Sequence, residues 1–205
     1  MAQRHCELES LGGRRVVDLD ACSKGVGMPK STPIAPLSTL KLDGKLVAQV
    51  RHDRLRAKVS ELTKKYGRAP GLAVLIVGQD PASQVYVRNK VRACGEVGIR
   101  SLHIELNANV SETELLGEIA RYNSDPSVDG ILVQLPLPKF MSKQRVLNSI
   151  LSEKDPDGLT TENLGLLWTG HKLVAPCTPA GVMAMLDHYG INVEGKDAVV
   201  IGRSE

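Results

Sequence analysis

The chain has 205 residues, of which 42% are hydrophobic and 24% charged, with a net charge of +3. That is the make-up of a soluble globular protein with one full core and part of a second, and the interleaved charges and scarce aromatics argue against a nucleic-acid partner. Cys6, Cys22, Cys94 and Cys177 form no C-x-x-C pair, the five His show no metal spacing, no apolar signal stretch opens the chain, and the longest apolar run, Leu72 to Val77, is too short for a bilayer; the expectation is a reduced, cytoplasmic protein without metal, disulfide framework or membrane.

Residues 1–38 carry no clear period and are rich in Gly, Ser, Pro and Arg. Glu7, Glu9, Asp18 and Asp20 argue against a mitochondrial presequence, which avoids acids, so this stretch is expected to be a disordered extension. From Gly44 the pattern changes, and Leu55, Val59, Leu62 and Tyr66 follow the spacing of a helix face. The run Leu72 to Val77, ending at Gly78, predicts a strand buried on both faces. A helix over about 83–97 follows, closed by Gly98, and then Leu102, Ile104 and Leu106 alternate as a half-buried strand does. Ser111 and Glu114 form a capping box before Leu115, Leu116 and Ile119. Gly130 to Leu135 predicts the next strand, broken by Pro136 and Pro138, and a helix over about 142–151 turns Val146, Leu147 and Ile150 inward. Near Cys177 a second unit starts: Thr178 is a candidate cap with Pro179 at the first helical position, and Val182, Met185, Leu186 and Tyr189 form a face. Ala198 to Ile201 predicts a short buried strand leading into Gly202, Arg203 and Ser204. The alternation is that of an α/β protein with a mostly parallel sheet, whose ligands bind at the carboxyl ends of the strands.

Several residues could carry chemistry. Tyr86 and Lys90 are four apart, so they share a helix face beside the apolar stripe of Val87, Val91 and Cys94. A lysine shielded at such a rim acts as a general base or proton shuttle; on spacing alone, an ordinary snorkelling lysine is the plainer reading. Gln134 is a polar amide at the end of an apolar strand and needs partners, from the fold or from a ligand. Asp155 and Asp157 flank Pro156 beside Lys154, which in isolation reads as a solvated turn. Gly202, Arg203 and Ser204 after a strand suggest phosphate contact.

The combination says more than its members. Pro81-Ala-Ser-Gln-Val-Tyr-Val-Arg-Asn-Lys90, Asp129-Gly-Ile-Leu-Val-Gln-Leu-Pro-Leu-Pro138, Lys154-Asp-Pro-Asp-Gly-Leu159, Asn163-Leu-Gly165, Pro176-Cys-Thr-Pro-Ala-Gly181 and Gly202-Arg-Ser204 occur in that order. From about Leu40 onward the chain closely resembles the bifunctional methylenetetrahydrofolate dehydrogenase/methenyltetrahydrofolate cyclohydrolase family of bacterial type. The resemblance implies a parallel-sheet folate-binding catalytic domain over 39–177, followed by the beginning of a Rossmann-type NADP-binding domain over 178–205. It implies that Tyr86 packs on the pterin and aminobenzoate, that Lys90 is catalytic and held by Gln134, and that Val133, Gln134 and Leu135 line the folate. Asp157 then anchors the pterin, and Gly202, Arg203 and Ser204 contact the cofactor NADP. The implied reactions are oxidation of 5,10-methylenetetrahydrofolate and hydrolysis of the methenyl product to 10-formyltetrahydrofolate, by a homodimer working in one-carbon metabolism. Pro156 departs from the family's valine, fixing φ and removing a donor beside Asp157. A nucleotide-binding domain needs on the order of 100 residues, so residues 1–205 alone are expected not to oxidise the substrate, and a non-catalytic folate-binding module is the alternative. A short-chain dehydrogenase, which also uses Tyr-x-x-x-Lys, needs a glycine-rich loop where this chain has Gly78-Gln-Asp-Pro81.

Overall fold

A computed structural model describes residues 40–202 apart from Lys172 and the side chain of Ala82; the N-terminal stretch, Arg203 and Ser204 lie outside the described residues. Helix α1, Gly44–Tyr66, starts at Asp43, whose carboxylate accepts from the amides of Lys45 and Leu46, and stops at Gly67, whose φ of 70° suits only a residue without Cβ. Val47 and Val59 are its buried residues, whereas Leu55 and Tyr66 of the expected face are exposed.

Strand β1, Gly71–Val77, is the centre of a three-stranded sheet ordered β2-β1-β3, with both neighbours parallel. Its side chains alternate between two cores, as expected for a strand covered on both faces. Ala73, Leu75 and Val77 meet Leu115, Ile119 and Ile131 on one side, while Val74 and Ile76 meet Val87 and Leu132 on the other. Helix α2, Pro81–Val97, begins two residues earlier than its apolar pattern suggests, because Asp80 caps it by accepting from the Ser83 amide at 2.7 Å and Pro81 fits the first turn. It packs on one face of the sheet through Val87 and Val91. Strand β2, Arg100–Leu106, then runs beside β1, and α3, Glu112–Ser124, opens with the capping box of Ser111 and Glu114 and covers the opposite face.

Strand β3, Gly130–Val133, is shorter than the apolar run, although the Gln134 amide still donates to Leu75 O at 2.8 Å. The Leu135–Pro136 peptide is cis. Helix α4, Lys143–Asn148, also ends early, with Ile150 still buried beyond it. The sequence pattern had not marked α5, Thr161–Trp168, which is capped by Thr160. Helix α6 spans Cys177–His188, so Pro176 takes the cap position in place of Thr178 and offers no side-chain acceptor. Ala184 is its buried residue, Val182 is exposed, and the Tyr189 hydroxyl accepts from the Asp43 amide at 2.8 Å. Residues 198–201 are not in a strand, and Val200 is 94% exposed, contrary to the buried strand expected there. A strand exists only through its neighbours, and among the described residues none pairs with this segment.

At the amino ends of the strands Arg68 and Asp129 form a two-pronged ion pair at 2.6 and 2.7 Å, and Asp129 also accepts from the Gly71 amide at 2.7 Å. The Arg68 guanidinium holds the Asp129 carboxyl below the usual carboxylate range. A carboxylate so lowered contributes stability above its unfolded pKa and loses it as pH falls through the folded one. Melting temperatures taken from about pH 6 down to about pH 2.5 should therefore fall on acidification, and Asp129→Asn should lose less over that span while starting lower.

Candidate functional site at the carboxyl ends of the strands

In the order β2-β1-β3 the chain leaves β1 toward one side through α2 and returns to its other side through α3. The carboxyl ends of β1 and β3 thus form a topological switch point, where sheets of this kind bind ligands. Lys90 reaches it from α2, and Gln134 reaches it from the residue that follows β3. Their side chains approach to 3.5 Å, Nζ to Oε1. The Gln134 amide Nε2 donates to Leu135 O at 2.8 Å, and the Ser83 hydroxyl lies 3.5 Å from the same oxygen. Gln134 thus turns its Oε1 toward the lysine because its Nε2 is already engaged.

Tyr86, one turn before Lys90, is 63% exposed, more open than the half-shielded rim expected of it. Its ring is free to meet a planar ligand. Val133 is buried in the sheet and Leu135 is half-buried, so Leu135 contributes through its carbonyl, already used to orient Gln134.

Asp157 belongs to this region through Cys177, the first residue of α6. The Cys177 thiol lies 3.6 Å from Asp157 Oδ1 and 3.5 Å from Pro156 O. Burial pushes the thiol up first, the Asp157 charge adds to this, and the Lys90 ammonium opposes it. One side chain therefore feels both the lysine and the aspartate. Cys94 on α2 is likewise raised by burial and drawn back by Lys90. Cys177 had been read only as part of a motif, since a lone cysteine carries no spacing signal.

The turn that carries Asp157 is not the solvated loop its composition suggested. Asp155 is 3% exposed and accepts from the amides of Gly158 and Thr160 and from Asn163 Nδ2 at 2.8 to 3.0 Å. Lys154 points the other way, donating to the carbonyls of Tyr122, Asn123 and Asp125 at 2.8 to 3.1 Å, and so closes the end of α3. Asp157 is the one charge of this segment that neither closes the helix nor builds the turn. A cavity of about 310 Å³ between Leu62, Tyr66, Arg68, Pro70 and Asp129 lies at the other end of the sheet, where the charges already neutralise each other.

On the cofactor side the described residues end at Gly202, where a Cβ would meet open space, and Val199 and Ile201 are exposed. They form no cradle for a dinucleotide by themselves, and Arg203 and Ser204 are not described.

This is an α/β protein whose parallel-sheet switch point carries a lysine and an amide, with a carboxylate on the turn that meets Cys177. Residues 42–157 match the tetrahydrofolate dehydrogenase/cyclohydrolase catalytic domain, and residues 176–205 match the NAD(P)-binding domain of the same family. The chain belongs to the tetrahydrofolate dehydrogenase/cyclohydrolase family. It is 50% identical over 163 residues to the bifunctional protein FolD of Streptococcus pyogenes, covering 80% of this chain and 57% of that relative. The chain thus spans less than two thirds of the curated relatives it matches. The crystal structure of the bifunctional enzyme FolD from Campylobacter jejuni superposes with a TM-score of 0.77 at 49% identity, over 80% of this chain and 58% of that one. The Trypanosoma brucei FolD, solved with NADP cofactor and inhibitor, superposes with a TM-score of 0.73 at 37% identity, over 77% of this chain and 54% of that one.

Because Lys154 satisfies three carbonyls at the end of α3, Lys154→Met should cost about 2 kcal/mol of stability in urea unfolding. The reach of Asp157 toward a ligand should be little affected.

Proposed function

We propose that this chain supplies the folate side of an enzyme that oxidises 5,10-methylenetetrahydrofolate and hydrolyses the resulting 5,10-methenyltetrahydrofolate to 10-formyltetrahydrofolate. The observation that carries this reading is the 3.5 Å approach of Lys90 to Gln134 at the carboxyl ends of β1 and β3, with Asp157 in the electrostatic neighbourhood. Membership of the family supports it.

In this reading Asp157 accepts from the 2-amino group and N3–H of the pterin, two parallel donors that a carboxylate matches. The exposed ring of Tyr86 packs on the pterin and aminobenzoate planes. Gln134 Oε1 fixes the Lys90 ammonium over the one-carbon bridge. When water adds to the methenyl carbon the adduct must lose a proton, and one ring nitrogen must gain one before the carbon–nitrogen bond opens. Lys90, as the titratable group held there, moves these protons. The cofactor in this reading is NADP, with Gly202, Arg203 and Ser204 as its first contacts. The match of residues 176–205 to an NAD(P)-binding domain and the NADP bound in the Trypanosoma brucei relative support it. The division into a folate-side domain over 39–177 and a cofactor domain from 178, and a homodimeric assembly, rest on the family resemblance, whereas a cytoplasmic location rests on cysteines that form no C-x-x-C pair. Among the described residues no helix is long and apolar enough to cross a membrane.

Lys90→Met, in protein carrying the whole cofactor domain, should slow hydrolysis of 5,10-methenyltetrahydrofolate by at least about a hundredfold while leaving folate affinity nearly unchanged. The decay of the methenyl absorbance measures this, and near-normal turnover would remove Lys90 from the chemistry. Asp157→Ala should instead weaken binding of a folate analogue by about 2 to 3 kcal/mol in calorimetry. Unchanged affinity would mean that Pro156 holds the turn away from the pterin.

A further inference from the structure

Asn163 is the polar side chain most completely removed from water among the described residues, at 0% exposed on α5. Its Nδ2 donates to Ser152 O at 2.9 Å and to Asp155 Oδ2 at 3.0 Å, while its Oδ1 meets no protein donor. A buried amide with an idle acceptor is costly, so its worth lies in the two hydrogens it gives. One of them goes to a carboxylate that is itself buried and would otherwise be short of a donor. That carboxylate, Asp155, turns the chain back on itself by taking the amides of Gly158 and Thr160.

The turn is held from its other side as well. Gly158 has a φ of 66°, and a Cβ there would stand 3.0 Å from Ala175 C and Pro176 N, so this backbone lies directly against the segment leading into Cys177. A Cβ at Gly130 would likewise come within 3.6 Å of the Pro156 ring. Asp157 sits between these anchors, and its carboxylate meets the Cys177 thiol at 3.6 Å. We propose that Asn163 is a positioning residue of the folate site: by donating to Asp155 it sets the turn that presents Asp157 beside Cys177 and toward the pterin. The proposal rests on the folate reading of the site and adds to it a residue that touches no ligand.

Asn163→Asp keeps the shape but turns the donor into an acceptor facing Asp155, so the turn should shift with little change in volume. Two measurements on the full 205-residue chain test it. The first is calorimetric affinity for 5-formyltetrahydrofolate, expected to fall about tenfold. The second is the pH profile of iodoacetamide alkylation at Cys177, followed peptide by peptide by mass spectrometry. The groups acting on this thiol are Asp157, Lys90 and Asp155, and the first and last of them raise it. Withdrawal of Asp157 should therefore lower the thiol's pKa and speed its alkylation near neutral pH by at least about threefold. A purely structural role would lower the melting temperature and leave both readouts at wild-type values in the folded variant, and that result overturns the proposal. A change in only one of the two also overturns it. Should Asn163→Asp fail to fold, Asn163→Ser, which shortens the donor, is judged on the same pair. If the wild-type chain shows no affinity for the probe, the folate reading falls, and the Cys177 profile alone decides whether Asn163 sets the turn.

Discussion

Strand β1 is hydrogen-bonded along both edges and covered on both faces, and this one constraint organises the protein. A strand in that position can be nothing but apolar until its carboxyl end, where the backbone leaves the sheet and polar groups can again reach water or a ligand. The α2 crossover carries the chain from β1 to the strand on one side and the α3 crossover brings it back to the other, across opposite faces of the sheet. The switch point there follows from the order of the strands, and Lys90 and Gln134 come to it from elements that the sheet positions.

Each candidate side chain of the site is held by a neighbour of a different kind. Gln134 is oriented because its Nε2 donates to the adjacent carbonyl, which turns its oxygen toward Lys90. Asp157 is presented by a turn whose hydrogen bonds converge on a second, buried aspartate. The charges of the Lys154-Asp-Pro-Asp segment thereby take three separate tasks: one closes a helix, one builds the turn and one meets the Cys177 thiol. Similar residues in sequence have dissimilar roles because the chain changes direction between them, and burial decides which of them can meet a ligand.

Much of this was legible in the residues. The double-sided burial of β1 follows from an unbroken apolar run, and the capping box before α3 appears as written. The pairing of Tyr86 with Lys90 on one face of α2 follows from helical spacing. Other features were not legible. The start of α2 depends on Asp80, which carries no apolar signal. Helix α5 is too short for its period to show, and residues 198–201 read as a strand although nothing among the described residues pairs with them. Apolar pattern reports a tendency to be covered, and whether a cover exists is a property of other segments.

The sequence by itself determined the alternation of helices and strands, the resemblance to a folate enzyme family, and which residues were fit for chemistry, because these depend on side-chain type and local spacing. Only the tertiary structure decided that Lys90 and Gln134, 44 residues apart, lie within 3.5 Å, that Asp155 is buried at the centre of its turn, and that the Cys177 thiol meets Asp157 at 3.6 Å. Those facts depend on where separate elements meet, and the meeting is set by strand order, by the close approach of Gly158 to Ala175 and Pro176, and by a buried amide on α5. None of these interactions is local along the chain, so none leaves a periodic trace in it.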